Sequence, residues 1–411
     1  KLESSRNQRL RRVLLVVSLA ANVGMLAYFK YANFFLRSLE EGLQLAGLQT
    51  TLPVLSVLLP IGISFYTFEA INYVVDVYRR RIPAERALGH FMLFILFFPH
   101  LIAGPIVRAR DFLPQIRRRK RWDWARLNLG LRFFLLGLFK KFVIADRMAL
   151  FADPIFASPG AFNTAALWMG AFAYALQVYA DFSGYTDMAL GTAHMLGYKL
   201  APNFNMPYLS ANIAEFWRRW HMSLSSWLRD YLFIPLGGSR GSRWQTYRNL
   251  MLVMTIGGLW HGASWPFVIF GVIQGGMLVM HRAFRQCCES RPALSEALLT
   301  IPGTALRVAF TFTIFTCSLV VFRSTTLALG WTMLKGMLLG NGGLPTPLVA
   351  WSLGFTFAVV AVGHALGQRQ LWQRLAARVP SPIRGLGYAA LLLMAIVLGP
   401  TTSKAFIYFQ F

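Results

Sequence analysis

Long apolar runs separated by short basic segments dominate this 411-residue chain. A helix needs roughly 20 apolar residues to cross the hydrocarbon layer of a bilayer, and several runs approach or exceed that length. They cover residues 13–29, 52–77, 88–107, 127–144, 164–196, 250–280, 301–322, 348–366 and 386–398. The pattern predicts an all-α integral membrane protein with about eight to eleven membrane-associated helices, in a single domain over residues 1–411.

Basic residues flank two of these runs on both sides, which predicts irregular membrane segments. Arginines lie before and after run 88–107, and also before and after run 250–280. Because basic flanks mark the cytoplasmic side, a run with two basic ends cannot simply span the membrane. We expect run 88–107, which contains Pro99 and Pro105, to re-enter the membrane while buried in protein. We expect run 250–280 to be bent or paired.

His261 lies deep within run 250–280, which contains no Asp, Glu, Lys or Arg. A titratable side chain is costly at membrane depth, so it indicates a functional site. A bend in the run would place His261 near its deepest point. The alternative is a structural histidine that bonds a neighbouring helix.

The residues around His261 suit a binding site. Trp260 and Trp265 offer broad apolar walls with indole donors, and Ser264 lies between them and adds a hydroxyl. Glycines flank the histidine and allow other backbone or a long substrate to approach closely. We therefore count these three side chains as candidates for lining a tunnel or binding substrate.

A second region, residues 205–238, is too polar to span the membrane. It mixes tryptophans with arginines, which is the composition of an amphipathic helix at the membrane interface. Anchoring is the simplest role for such a helix. The region also contains His221, which we predict to lie close to His261 in space. Trp217 and Arg218 precede His221 by about one helical turn and are further candidates for substrate contact.

Asp181 and Asp187 lie within the otherwise apolar run 164–196. Carboxylates at or near membrane depth are costly, so they are also candidates for function. Asp181 and Tyr185 are four residues apart and share a helix face, whereas Asp187 falls elsewhere on the helix. We add these three residues to the candidates for substrate binding or tunnel lining.

The composition limits the chemistry. Hydrophobic residues make up 56% of the chain and charged residues 14%, against about 25% charged residues in soluble domains. The net charge of +25 comes mostly from basic residues between apolar runs, as the positive-inside rule predicts, so we expect no nucleic acid partner. The cysteines and histidines show no metal-ligand spacing, and no P-loop, dinucleotide or nucleophile-elbow motif occurs. We expect no metal and no bound cofactor.

The basic loop at residues 117–121 has three candidate roles. Lysine and arginine near a cleft recruit anionic ligands such as an acyl donor. Membrane topology alone also explains the charges, and so does binding of anionic lipid headgroups. The sequence leaves all three open.

Several motifs together resemble the membrane-bound O-acyltransferase family. They are FWRRWHMSLSSWLRDYLFIPLGG from residue 216 and GGLWHGASW from residue 257. YADFSGYTDMALG, NFNMPY and the closing FIYFQF make the chain similar to the bacterial branch that contains the membrane subunit of alginate O-acetylation. The resemblance covers nearly the whole chain from residue 29. Members of this branch usually carry further hydrophobic sequence at the N-terminus, which we expect to be missing here.

The resemblance implies a fold and an activity. The fold is a ring of membrane helices and re-entrant segments around a central tunnel. His261 matches the intramembrane catalytic histidine, and His221 matches a position assigned to catalysis or to orienting substrate. The activity is transfer of an acetyl group from a cytoplasmic thioester donor, acetyl-CoA, across the bacterial inner membrane. Periplasmic acetyltransferase partners would then modify an exopolysaccharide such as alginate, and membrane lipids would surround the protein.

Two other functions stay open. One is that of the D-alanyl transfer protein of teichoic acid modification, which takes its acyl group from a carrier protein, although FSGYTD and RRWH favour the acetyl branch. The other is transport of acyl groups or glycans without catalysis, against which no inverted repeat is visible. Loss of donor hydrolysis or transfer in His261→Ala would separate an enzyme from a carrier.

Overall fold

A computed structural model gives the architecture and describes residues 2–368, 378–399 and 405–407. The last four residues of the FIYFQF motif lie outside this range. We number the α-helices in chain order: α1 (Gln8–Leu26), α2 (Ala32–Leu45), α3 (Ile63–Tyr78), α4 (Leu88–Leu96), α5 (Ala109–Ile116), α6 (Trp124–Phe139), α7 (Asp146–Ala157), α8 (Thr164–Met195), α9 (Ile213–Arg219), α10 (Met222–Leu228), α11 (Arg243–His261), α12 (Trp265–Glu289), α13 (Pro292–Leu299), α14 (Ile301–Arg323), α15 (Leu327–Leu339), α16 (Ala350–Gln368) and α17 (Ser381–Leu398).

Short π-helical turns continue α1, α6 and α10, at Ala27–Tyr31, Lys140–Ala145 and Arg229–Phe233. The first of these joins α1 to α2. Within the described residues, β pairing is limited to an isolated bridge between Phe162 and Leu344. The predicted all-α fold is confirmed.

Five helical segments of the described chain are long and apolar enough to cross a membrane. They are Gln8–Leu45, α12, α14, α16 and α17. This number is smaller than the about eight to eleven membrane-associated helices predicted from the apolar runs. Runs 52–77 and 88–107 form helices of only 16 and 9 residues, shorter than the about 20 that a span needs. The helices of runs 127–144 and 164–196 carry charged residues, such as Lys141 and Asp181.

The apolar run 52–77 is not one continuous helix. Residues 46–62 are non-helical, and α3 begins only at Ile63. Pro53 and Pro60 lack the backbone N–H that a helix interior needs. Gly62 adopts φ 76°, a left-handed conformation that glycine tolerates and other residues avoid. These residues delay the start of the helix.

The segment 88–107 contains only one short helix. α4 has 9 residues, so it is about 14 Å long and cannot cross a hydrocarbon core of about 30 Å. The irregular backbone that follows is fixed to α3: the Val107 amide donates to Glu69 Oε1 at 3.1 Å, and Asn72 Nδ2 donates to the Val107 carbonyl at 2.9 Å. Irregular backbone buried in protein is what a re-entrant segment requires. Entry and exit on one membrane face stay a prediction.

Run 250–280 forms two paired helices, as predicted. α11 ends at His261 and α12 begins at Trp265, so His261 lies at the apex of a helical hairpin. The two helices approach closely at glycines that leave no room for a side chain. A Cβ atom added to Gly258 would lie 2.3 Å from the Phe267 carbonyl oxygen, and one added to Gly262 would lie 2.1 Å from the Phe267 ring. These glycines were expected to allow close approach either of other backbone or of a long substrate. The structure shows the first, a close contact between α11 and α12.

The largest hydrophobic core lies around α8. It includes residues of α7, α9 and α14, with Tyr174, Phe216 and Phe315 almost completely buried. A second core joins α3, α10 and α11 through Phe68, Trp227 and Trp260. The candidate site lies beside the second core, because His221 directly precedes α10 and His261 is the last residue of α11.

Candidate active site

His221 lies at a break between two short helices. α9 ends at Arg219 and α10 begins at Met222, while His221 itself adopts φ 42° and ψ 53°. Such a left-handed backbone costs a non-glycine residue on the order of 1–3 kcal/mol and persists only where the surroundings hold it. The single interfacial helix predicted here is therefore wrong. Trp220 and Trp227 are 6% and 3% exposed and belong to the core.

Asn203 holds the chain around this break. The Met222 amide donates to the Asn203 carbonyl at 2.9 Å, and the Ser223 amide donates to Asn203 Oδ1 at 3.2 Å. Asn203 is completely buried. Sequence reasoning did not select this residue, although the NFNMPY motif that contains it was noticed. One buried amide side chain thus fixes the backbone that follows His221.

The irregular chain that follows α4 also contacts α10 and the π-helical turn after it. The Ile106 amide donates to Ser223 Oγ at 2.9 Å, and Arg108 Nη2 lies 3.2 Å from Asp230 Oδ2. At the other face of α10, Trp227 Nε1 donates to the Phe68 carbonyl at 3.0 Å. α10 is therefore fixed between the irregular chain after α4 and α3, so the position of His221 is set by long-range contacts.

Trp260 contacts both histidines. Its ring centroid lies 5.1 Å from that of His261 and 5.9 Å from that of His221. Trp260 Nε1 donates to the Ser64 carbonyl at 3.3 Å, which fixes the indole. As predicted, His221 and His261 are close in space, and they are linked through one aromatic side chain.

His221 is buried and remains uncharged. Burial lowers the pKa of His221 well below its ordinary value, and the nearby His261 adds to the shift. The neutral imidazole is therefore its dominant form near neutral pH. The ring is completely buried and packs edge-on against Phe182, with centroids 4.6 Å apart.

Lys30 supports His261 from the first helical segment. Its ammonium donates to the carbonyls of Trp260 at 2.6 Å and His261 at 3.3 Å, and to Ser64 Oγ at 3.1 Å. A cation at the C-terminal end of α11 is favoured by the helix dipole. Sequence reasoning missed Lys30, although a lone lysine in a long apolar stretch is the kind of signal that selected His261.

A cavity of about 210 Å³ lies beside His261. It is lined by the non-helical segment before α3, the start of α3 and the end of α11: Lys30, Leu59, Pro60, Ile61, Gly62, Ile63, Ser64, Phe65, Ile102, Trp260 and His261. Pockets that hold a whole ligand usually measure about 300–1,000 Å³. The cavity therefore suits the reacting end of a substrate better than a whole coenzyme.

Several predicted site residues, His221 among them, do not line this cavity. Ser264 precedes α12, and Trp265 is 47% exposed, with its ring 5.6 Å from that of Phe34. Trp217 Nε1 donates to Gln274 Oε1 at 3.2 Å, and Arg218 lies on α9. Contact of these side chains with substrate stays a prediction.

The two candidate carboxylates of α8 lie in ion pairs. Lys140 Nζ lies 2.6 Å from Asp187 Oδ2, and Lys141 Nζ lies 2.7 Å from Asp181 Oδ1. The Ile407 amide donates to Asp181 Oδ2 at 2.7 Å. These contacts join α8 to the π-helical turn after α6 and to residues 405–407, which gives both carboxylates a structural role.

Tyr185 lies on the same part of α8. Its ring packs edge-on against Phe406, with centroids 4.9 Å apart. Neither Tyr185 nor the two carboxylates line the cavity beside His261. Their roles in substrate binding stay predictions.

The fold and site define a class of protein: an all-helical, multi-pass membrane protein with a buried histidine at the apex of a helical hairpin. The model of the membrane-bound O-acyltransferase family, MBOAT, matches residues 87–323, more than half of the chain. The chain belongs to this family. The match includes both histidines and Trp260, whereas Lys30 precedes it.

The chain is also similar to individual proteins of known name. A protein named probable alginate O-acetylase AlgI from Azotobacter vinelandii is 46% identical over 323 residues, which cover 79% of this chain and 62% of the relative. A peptidoglycan O-acetyltransferase from Helicobacter pylori is 38% identical over 368 residues, 83% of this chain and 68% of the relative. A teichoic acid D-alanyltransferase from Streptococcus thermophilus is 32% identical over 238 residues, 54% of this chain and 57% of the relative. The chain thus spans less than two thirds of the Azotobacter protein.

Proposed function

We propose that this protein is a membrane O-acetyltransferase. It takes an acetyl group from a cytoplasmic thioester, acetyl-CoA, and moves it across the bacterial inner membrane for O-acetylation of an exopolysaccharide such as alginate. The observation that carries the proposal is the placement of His261 at the apex of the α11–α12 hairpin, beside a cavity and in contact with the indole that also touches His221. The names of the alginate and peptidoglycan relatives support transfer of acetyl groups to oxygen.

The chemistry needs a base beside the reacting groups. A hydroxyl oxygen attacks the carbonyl carbon of the acetyl thioester while His261 accepts the hydroxyl proton. A C–O bond forms, the C–S bond breaks, and the proton on His261 passes to the departing thiolate. The products are an acetyl ester and a free thiol, so no oxidant or reductant is required.

The surrounding residues position His261. Lys30 holds the last carbonyls of α11, and Trp260 is fixed by its hydrogen bond to the Ser64 carbonyl. His221 contacts Trp260 from the α9–α10 break and orients the site or the substrate. Correct placement matters because a shift of about 1 Å can cost about 10²-fold in rate.

Partners follow from the same proposal. Periplasmic acetyltransferases of a polysaccharide-modification complex would receive the acetyl group and transfer it to the glycan. Membrane lipids would surround α12, α14, α16 and α17, which are apolar enough to span. The acetyl donor would enter from the cytoplasmic side, where the basic segments lie.

The test is acetyl transfer or donor hydrolysis by the purified full chain with acetyl-CoA. We expect His261→Ala to lower the rate by about 10²–10⁴-fold, the usual effect of losing a general base. His194→Ala is a matched control, because His194 lies on α8 and bonds the Leu190 carbonyl away from the cavity. Near-full activity in a folded His261→Ala protein would overturn the assignment. Transport without any His261-dependent chemistry would favour a carrier.

D-alanyl transfer is the second candidate, supported by the Streptococcus relative. Its donor is a D-alanyl carrier protein instead of a soluble coenzyme thioester. Supplying acetyl-CoA and a D-alanyl carrier protein in parallel decides between them. Turnover of the carrier-bound donor alone would replace the acetyl proposal.

A further inference from the structure

A groove of about 700 Å³ lies between α12, α13 and α14. None of the residues that line it also lines the cavity beside His261. Most of its lining is apolar, including Met277, Phe284, Phe310, Ile314, Val321 and Leu338. We call this feature the α12–α14 groove. The groove lies between α12 and α14, which are both candidate membrane spans.

Two arginines and a histidine lie in the same groove. His281 and Arg285 come from the C-terminal part of α12, and Arg307 comes from the N-terminal part of α14. Arg218 on α9 adds to the positive potential at His281. The groove therefore combines an apolar wall with a region of positive charge.

Carboxylates neutralise little of this charge. Arg285 lies 3.5 Å from Glu289, but both side chains are 65% exposed, so this pair is weak. Arg307 Nη1 donates to the Leu298 carbonyl at 3.2 Å. Among residues 2–368, 378–399 and 405–407, no carboxylate forms an ion pair with His281, Arg307 or Arg218. The charge is thus available to an anion.

We propose that the α12–α14 groove binds one anionic phospholipid of the cytoplasmic leaflet. Its acyl chains would lie along the apolar wall, and its phosphate would lie near Arg285 and Arg307. Basic pockets between membrane helices on the cytoplasmic side bind anionic lipid headgroups by this combination of contacts. A water-soluble phosphate would use the arginines but would leave the apolar wall uncovered. The site is separate from acyl transfer and does not depend on it.

The test uses the full chain, purified in detergent and stripped of lipid. Phosphatidylglycerol and phosphatidylcholine are titrated separately, and bound lipid is counted by native mass spectrometry. We expect one phosphatidylglycerol to bind in preference to phosphatidylcholine. Arg285→Ala/Arg307→Ala should weaken this binding by about tenfold or more, because each basic residue near a lipid phosphate contributes about 1 kcal/mol. Cys317→Phe, which fills the groove without changing charge, should weaken it as well.

Matched controls make the outcomes decisive. Arg240→Ala/Arg243→Ala removes two exposed arginines outside the groove and should leave binding unchanged. Equal binding of both lipids would overturn the proposal. The proposal would also be overturned if the groove variant and the control variant lost lipid binding equally, because surface charge alone would then explain the binding. Displacement by inorganic phosphate or coenzyme A at low concentration would show a site for soluble anions instead. If Cys317→Phe does not fold, the arginine pairs and the two lipids still decide the question.

Discussion

At the scale of single residues, His221 combines a left-handed backbone with a buried imidazole that contacts Trp260. Asparagine tolerates this backbone region but offers no basic ring nitrogen. We expect His221→Asn to keep the thermal unfolding midpoint close to that of the parent protein. If His221 positions the site, the rate of acetyl transfer should fall by up to about 10²-fold.

A second substitution, His221→Gly, separates the effect of the backbone conformation from the effect of the imidazole. Glycine accepts the left-handed backbone without strain, so His221→Gly should also fold, although it loses the contact with Phe182. Rates and unfolding midpoints are measured for both variants side by side. Full activity in a stable His221→Asn protein would leave His221 with a packing role only.

The residues differ in how well the sequence identified them. His261 stood out because an imidazole within an uncharged run is costly. Lys30 could have been found by the same rule, but its partner atoms on α11 are more than two hundred residues away. Asn203 could not have been found by such a rule, because an asparagine shows its role only through the amides that it contacts.

At the scale of elements, the segment 88–107 gives a prediction about topology. A span would place its two ends on opposite membrane faces, whereas a re-entrant segment places them on the same face. We expect Arg86→Cys and Arg110→Cys to react with an impermeant thiol reagent from the cytoplasmic side only. Both positions are exposed, whereas Arg108 is 8% exposed and unsuitable for labelling.

The background for this labelling replaces the native cysteines, of which Cys287 is exposed. Inside-out and right-side-out vesicles supply the two faces. A cysteine at Glu3 serves as a control, because Glu3 is equally exposed and lies in the segment before α1, whose arginines mark the cytoplasmic side. Labelling of the two test positions from opposite faces would contradict the re-entrant interpretation.

The pattern of basic residues predicted some elements correctly, whereas the pattern of apolar and polar residues did not predict the breaks in others. Basic flanks predicted the α11–α12 hairpin, because a chain with both ends on one side must turn. The helix break at His221 was missed, since α9 and α10 together have a suitable amphipathic composition and the break depends on contacts with Asn203. The late start of α3 had a local signal in Pro53, Pro60 and Gly62 that the apolar run concealed.

At the scale of the whole molecule, the large positive charge has more than one use. Lys140 and Lys141 pair with Asp187 and Asp181 of α8, and Arg285 and Arg307 line the α12–α14 groove. Composition alone predicted a membrane protein, but it could not assign individual charges, because their partners come from distant parts of the chain. Removing one partner of the buried Lys141–Asp181 pair should cost about 3–5 kcal/mol of stability.

The basic residues of the loop at 117–121 differ in their contacts. Arg117 Nη2 lies 2.7 Å from Glu85 Oε2, so this arginine ties the loop to the segment before α4. Lys120 Nζ donates to the Gln115 carbonyl at 2.7 Å and lies 4.0 Å from the centre of the Tyr198 ring. These two residues contribute to the fold and are poor choices for charge reversal. Arg118 and Arg119 are exposed and suit the test.

We expect Arg118→Glu/Arg119→Glu to raise the KM for acetyl-CoA, because the loop would then repel the anionic donor instead of recruiting it. Salt screens such long-range attraction, so the rise should be larger at low than at high ionic strength. Arg240→Glu/Arg243→Glu, with the same change of charge at another exposed basic segment, is the control for net charge. An effect that follows the anionic lipid content of the vesicles would assign the loop to lipid binding. An unchanged KM at low salt, in a protein of verified orientation, would leave the loop as a determinant of topology alone.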